Sequence, residues 1–320
     1  MGNSLTHGDL RAWPNQFVSH RRQWGILETT VPAGASSMTG MYVVALAIGV
    51  VGSTVIHLSQ GLMRWGIQLG RRSEDDPGAG RRIWIVGVVL NFTAPLWVIL
   101  ANRFGPTTLY TSMYAVGLIV LLAFSRWKLD RVIHPLEVWG ALLLVGSTAL
   151  LGIDGMRGPP VSMGQVPAWP LLTLGGAALV LIWPLGILTS HAPRLPTGLL
   201  FGALGGTFLA LDSLLKGVAQ FDTGSAAFLP GTAEGWALFL ISFVGAGAAL
   251  GMTQWAHLRS APPSQTIAGY DAFYVAVPVL LVPSVVALPE AGVTLLCWSG
   301  LAGMAAGLML ILQGQRSAAS

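Results

Sequence analysis

Charge is what this chain has least of. Of its 320 residues, 17 are Lys or Arg and 13 are Asp or Glu, 9% in all, where soluble proteins carry roughly 25%. So few charges cannot cover the surface of a soluble fold of this length, which excludes an ordinary globular domain. The net charge of +4 is small and dispersed, which excludes a nucleic-acid-binding basic patch, and the apolar composition excludes intrinsic disorder. A single cysteine, Cys297, excludes an intrachain disulfide and a cysteine-based metal cluster. Catalytic signatures are missing too. The sequence has no G-x-x-x-x-G-K-[ST], H-E-x-x-H or G-x-S-x-G pattern, so ATP-driven transport by this chain and the familiar hydrolase chemistries find no support. No cofactor is expected beyond a transported or coupling cation, Mg²⁺ or H⁺.

What is present is apolar. Hydrophobic residues make up 53% of the chain, and the mean hydropathy of +0.66 belongs to a polytopic membrane protein. A helix needs about 20 apolar residues to cross the bilayer core. Nine stretches qualify: 41–62, 83–101, 107–124, 136–153, 169–188, 198–219, 235–255, 264–288 and 291–312. The connectors are short, polar and too small for a soluble domain. Residues 1–40 read as an N-terminal tail, disordered or amphipathic, or as sequence upstream of a start at Met38 or Met41.

Basic residues set the orientation. The odd-numbered connectors and the C-terminal tail hold eleven Lys and Arg, among them Arg64, Arg71, Arg82, Arg126, Arg131 and Arg316. The even-numbered connectors hold two, Arg103 and Arg157. The positive-inside rule then places the C-terminus in the cytoplasm and the N-terminus outside, in a plasma or cell inner membrane. The bilayer is one partner and a small molecule or cation another, and monomer and homodimer both stay open.

The spans carry an internal likeness. Gly49-Val50-Val51-Gly52-Ser53-Thr54 in span one aligns, 153 positions on, with Gly202-Ala203-Leu204-Gly205-Gly206-Thr207 in span six. Spans three and eight each follow a Pro-containing turn and each carry a Tyr pair at i,i+4, Tyr110/Tyr114 and Tyr270/Tyr274. The expected fold is all-α: two inverted four-helix repeats, 41–153 and 198–320, joined by a linking span within 154–197. Inverted repeats are a recurrent basis of alternating access at a midplane site.

Three charges fall well inside spans, where each costs roughly 2.5–3.5 kcal/mol on insertion scales: Asp212, Lys216 and Asp271. Asp212 and Lys216 stand four apart on one face of span six, as an ion pair or as cation- and anion-binding groups, with Lys216 also free to snorkel towards the surface. Asp271 lies among Tyr270 and Tyr274, either as a helix-start carboxylate or as part of a water-lined cavity. Ser53, His57 and Gln60 form one stripe on span one. Asp212, Lys216, Asp271, Tyr270, Tyr274, His57, Gln60, Ser53, Tyr110 and Tyr114 are therefore the candidate substrate or ion ligands, with Asp212 and Asp271 the candidates for a metal. Gly49, Gly52, Gly202, Gly205 and Gly206 are read as packing residues, and Gly247/Gly251 and Gly303/Gly307 as further close-approach pairs. Asn91 and Gln254 are read as interhelical amides.

Gly52-Ser53-Thr54-Val55-Ile56-His57-Leu58-Ser59-Gln60-Gly61-Leu62, Arg103-Phe104-Gly105-Pro106-Thr107-Thr108-Leu109-Tyr110 and Gly140-Ala141-Leu142-Leu143-Leu144-Val145-Gly146-Ser147 together resemble one repeat of the drug/metabolite transporter superfamily. Small multidrug resistance proteins look like its single-repeat form, and Gly49 stands where they carry a membrane-embedded glutamate. The nine-span layout with an external N-terminus is similar to that of NIPA-type magnesium transporters. The resemblance, over residues 41–313, implies a secondary transporter. It points to Mg²⁺ as cargo, with a small-metabolite or drug exporter of the EamA-like kind as the alternative and a non-transporting scaffold as the third reading.

Overall fold

Why each apolar stretch becomes a helix follows from the medium: in hydrocarbon every backbone N–H and C=O must be satisfied within the segment. The computed structural model describes residues 35–72, 77–157, 163–191, 197–223, 227–286 and 294–319. Expectations for residues 1–34 and for Arg194 lie outside them. The chain divides into two units, 1–40 and 41–320. Only residues 35–40 of the first are described, and the following concerns the second.

Among the described residues the regular structure is helical throughout, with nine helices or helix pairs long and apolar enough to cross a membrane. The chain is in that sense a polytopic membrane protein. Span one is α1 (Ala35–Arg72). Span two is built from α2 (Pro77–Asn91) and α3 (Ala94–Asn102), and span three from α4 (Thr107–Ser112) and α5 (Val116–Lys128). Spans four to nine are α6 (Pro135–Arg157), α7 (Ala168–His191), α8 (Thr197–Gln220), α9 (Ala233–Leu258), α10 (Pro263–Val286) and α11 (Leu295–Ala319).

Two spans read from sequence as continuous are interrupted. Span two breaks at Phe92–Thr93, just before Pro95, whose missing N–H suits the start of α3. Span three breaks at Met113–Ala115 with no proline or glycine there. The ends of the helices also run further than the apolar windows. α1 continues to Arg72, so Arg64, which the sequence assigns to a connector, lies in the helix and is buried.

Burial is inverted relative to a soluble protein. Val180, Leu240, Phe92 and Leu96 are exposed, whereas Asp212, Lys216, Asp271 and Glu137 are at most 1% exposed. Apolar side chains facing outward cost nothing against lipid, and polar ones turn inward to find partners. α7, the linking span, exposes Leu179, Val180, Leu181 and Trp183.

Small residues set the closest approaches. α8 packs on both α9 and α10, and α11 packs on α6. A Cβ at Gly202 or Gly206 would overlap the carbonyls of Thr266 and Tyr270 on α10, and one at Gly307 would meet the Gly140 carbonyl on α6. Gly303 sits against Ser147 in the same seam. Gly247 and Gly251 differ: both face open space, so their spacing reflects the glycine-rich composition and makes no contact.

Candidate functional site

The candidate site begins at the break in span three. Where α4 ends and α5 starts, the backbone tightens from i→i+4 to i→i+3 pairing, and the Gly117 amide reaches the Tyr114 carbonyl at 3.3 Å. Ser53 of α1 attends to both: its hydroxyl donates to the Tyr114 carbonyl in a short bond and accepts from Gly117 N at 2.9 Å. One turn on, His57 lies against Gly117, where any Cβ would collide with the imidazole. Two side chains of the neighbouring span thus lie against this tightened turn.

His57 joins α1 to α10. Its Nε2 lies 2.9 Å from Oδ2 and 3.1 Å from Oδ1 of Asp271, and its Nδ1 lies 2.8 Å from the Ser53 carbonyl. Both side chains are at most 1% exposed. Asp271 stands eight residues into α10, past the first two turns, so its place is fixed by this pairing rather than by a helix start.

Asp212 and Lys216 form an ion pair along one face of α8, with Oδ1 of Asp212 held by the Lys216 ammonium. Lys216 is fully buried and its ammonium lies 4.2 Å from the centre of the Phe243 ring. It turns into the bundle, which corrects the snorkelling alternative. Asp212 Oδ2 has no hydrogen-bond partner among the described residues.

The four tyrosines converge. Tyr114 meets Tyr274 with ring centroids 4.5 Å apart, and Tyr110 meets Tyr274 at 6.5 Å, both edge to face. Tyr114 also lies 6.3 Å from Tyr270 and 5.2 Å from the His57 ring. Tyr274 shares a hydrogen bond of 2.8 Å with Ser213 of α8. The hydroxyls of Tyr110 and Tyr114 are buried beside those of Tyr274 and Tyr270 and close no hydrogen bond of regular geometry among the described residues. The packing glycines floor this cluster. Gly49 faces Met113 and the Tyr110 carbonyl, Gly52 faces Trp97 and the Tyr110 hydroxyl, and Gly205 and Gly206 face Tyr270.

Not every candidate joins it. Gln60 turns away from His57 and donates to Asn91 of α2 at 2.9 Å. Gln254 accepts from Trp84 at 3.2 Å, so Asn91 and Gln254 both bridge helices, and both are part-buried. A cavity of about 340 Å³ opens between α1, α2 and α9, beside Gly66, Gly80, Trp84 and Gln254, apart from the aspartates. Among the described residues no three His, Cys, Asp or Glu side chains gather as a metal-binding group.

Polar clusters the sequence reading missed close the bundle at its two ends. At the Arg-rich end, Arg131 donates to Ser264 at 2.7 Å and to Glu137 at 2.8 Å. Ser264 donates to Glu137 at 2.9 Å and accepts from Gln315 at 2.7 Å. One hydroxyl thereby uses its donor and both acceptor positions. Nearby, Arg64 donates to the His257 carbonyl. At the opposite end, Asn102 donates to Gln220 at 3.0 Å and accepts from Thr107 at 3.0 Å. The Gln220 amide in turn donates to the carbonyls of Ile99 and Ala227. Both clusters join the first four spans to the last four. The only sequence signal was polarity at span ends, which is common to all spans.

Compared with known proteins, the chain finds no counterpart: no family model matches it, nor does any curated protein or solved structure.

Proposed function

We propose that the chain is a secondary transporter of the drug/metabolite type, working by alternating access around the buried tyrosine–aspartate cluster. One observation carries this reading. Two carboxylates, a lysine, a histidine and four tyrosines from spans one, three, six and eight meet in the interior, beside a span whose helix is interrupted. Buried ionisable groups in a membrane mark substrate or ion pathways, and broken helices line such sites. Buried polar groups that close no hydrogen bond of regular geometry, Tyr110 OH, Tyr114 OH and Asp212 Oδ2, are what a solute would satisfy.

The inverted-repeat reading gains support from one correspondence. Gly52 of span one packs on Tyr110 of span three, as Gly205 of span six packs on Tyr270 of span eight. Each half thus sets a glycine of its first span against the first tyrosine of its third, through the hydroxyl in one case and the ring in the other. Polar clusters at both ends fit a closed, occluded state between the two openings.

The cargo we favour is a small organic solute rather than Mg²⁺, the cargo implied by the resemblance. Both carboxylates of the site already hold a basic partner, Lys216 and His57, so the site is close to neutral. A hydrated divalent ion would be drawn to unneutralised carboxylates. Aromatic faces and free hydroxyls suit an organic molecule.

The test is flux into proteoliposomes of the purified chain, with Mg²⁺ read by a trapped Mg²⁺-sensitive dye and with tritiated amino acids, nucleosides and sugars as organic probes. Accumulation of an organic probe is expected. Mg²⁺ uptake instead would overturn the cargo, and no flux of any probe above protein-free vesicles would overturn transport in favour of a scaffold.

A further inference from the structure

His57 and Asp271 raise a question of proton counting that the geometry answers. A carbonyl oxygen can only accept, so the 2.8 Å contact with the Ser53 carbonyl requires a hydrogen on His57 Nδ1. The other ring nitrogen faces the Asp271 carboxyl at 2.9 and 3.1 Å. A contact of that length needs a hydrogen as well, because two bare lone pairs would repel. One proton therefore lies between Nε2 and the carboxyl, as imidazolium with carboxylate or as imidazole with carboxylic acid. In either form the pair is neutral.

Burial makes this one-proton state the stable one. Losing the proton would leave an uncompensated carboxylate, and gaining a second would leave an uncompensated imidazolium, each in a site at most 1% exposed. Uncompensated buried charge is strongly disfavoured. Exchange with water thus requires the site to open.

The neighbours bear on the same balance. Tyr114 approaches from the turn between α4 and α5, and Tyr270 lies next to Asp271 on α10. Beyond Tyr270, α8 presents Asp212 with Lys216, which neutralise each other. Tyr110 and Tyr274 complete the ring of titratable groups. Neutral phenols and a self-neutralised pair leave the proton between His57 and Asp271 to set the local net charge.

We propose that His57 and Asp271 form a binding site for one coupling proton, held in the closed protein and exchanged with water each time the site opens. The proposal rests on the transporter reading for its role, and its chemistry stands on the pair itself. Proton loss would set Nε2 against the carboxylate and push α1 from α10. Because Ser53, one turn before His57, also holds the broken backbone of span three, the same event would loosen that break.

The experiment is magic-angle-spinning NMR of the full chain in lipid bilayers, with ¹⁵N-histidine and ¹³C-aspartate labels assigned by difference from His57→Gln and Asp271→Asn. The expected result is a protonated Nδ1 at His57 throughout. A single pH step should move His57 Nε2 and Asp271 Cγ together, and Asp271→Asn should abolish that shared step. Separate steps for the two residues, an unprotonated Nδ1, or an unchanged His57 step in Asp271→Asn would each overturn the proposal. Should Asp271→Asn fail to fold, Asp271→Glu, which keeps the carboxyl, must still show a joint step at a shifted pH. No solute is present, so a negative result leaves the flux assay standing, and absent flux leaves this titration readable.

Discussion

Tyr114 and Tyr274 meet edge to face, with ring centroids 4.5 Å apart, and so tie the broken third span to the eighth. The hydroxyls differ. Tyr274 shares a hydrogen bond with Ser213, whereas the Tyr114 hydroxyl is buried beside Tyr270 and closes no hydrogen bond of regular geometry among the described residues. An unpaired buried hydroxyl costs about 1–3 kcal/mol. Tyr114→Phe is therefore expected to keep or raise thermal stability while reducing solute flux several-fold. Tyr274→Phe should lower stability by about 1 kcal/mol, the net worth of a typical hydrogen bond. Melting curves alongside flux measurements check both, and lost stability in Tyr114→Phe would count against a ligand-facing hydroxyl.

Gly117 leaves the space that the His57 imidazole fills. Adding a methyl group there forces the ring or the backbone aside, an overpacking cost of about 1–3 kcal/mol. Gly117→Ala should also weaken the contact with Asp271, so its His57 NMR signals should resemble those of Asp271→Asn. Wild-type signals in Gly117→Ala would show that the imidazole does not depend on this space.

Asp212 and Lys216 should behave as a unit. Lys216→Met leaves the Asp212 carboxylate buried and alone, at a cost of about 3–5 kcal/mol. The double variant Asp212→Leu/Lys216→Met removes both charges and should recover most of that loss, because apolar replacement of a buried pair is often neutral. Fluorescence-detected thermal unfolding distinguishes the cases. A double variant no more stable than Lys216→Met would deny the pairing its energetic weight. Flux should stay at least tenfold down in both.

Outside the spans, Asp222 organises the loop before α9. A slight desolvation of its carboxyl is outweighed by hydrogen bonds from the Thr232 hydroxyl and from the Thr232 and Gly231 amides, which hold its pKa below the ordinary value. A depressed folded-state pKa contributes stability above the unfolded value, about 3.9, and that contribution is lost as pH falls through the lower folded value. The protection of Gly231 and Thr232 against hydrogen exchange, relative to their intrinsic rates, should fall below about pH 4, and Asp222→Asn should show the lower protection already at neutral pH. Equal protection in both proteins would place the order of this loop elsewhere.

The spans were readable from sequence because crossing hydrocarbon imposes a long apolar window, and among the described residues nine helices or helix pairs fall on those windows. The break at Met113–Ala115 was not. It carries no proline or glycine, and the side chain that bonds its backbone, Ser53, stands sixty residues earlier in the chain. Asp271 and His57 each stood out as polar residues in apolar surroundings, yet their pairing across 214 positions is decided by packing, which no local pattern encodes. Arg64 went unnoticed as a buried charge because it lies where its helix outruns the apolar window, and Glu137 because it stands at the very start of its window, where a carboxylate reads as a span end. Gly247 and Gly251 show the opposite error, since in a chain with 41 glycines a four-residue spacing arises without a contact.

Alternating access itself is tested most directly by electron–electron distance measurements in lipid nanodiscs, in a Cys297→Ala background. Spin labels at Trp127→Cys and Leu258→Cys report on the Arg-rich end, and labels at Met156→Cys and Phe228→Cys on the other; all four positions are exposed. Glu137→Gln weakens the first polar cluster and Gln220→Leu the second. The expected result is reciprocal: Glu137→Gln widens the Trp127–Leu258 distance and leaves the far end closed, and Gln220→Leu does the reverse. Both ends widening together, or neither responding, would contradict alternating access.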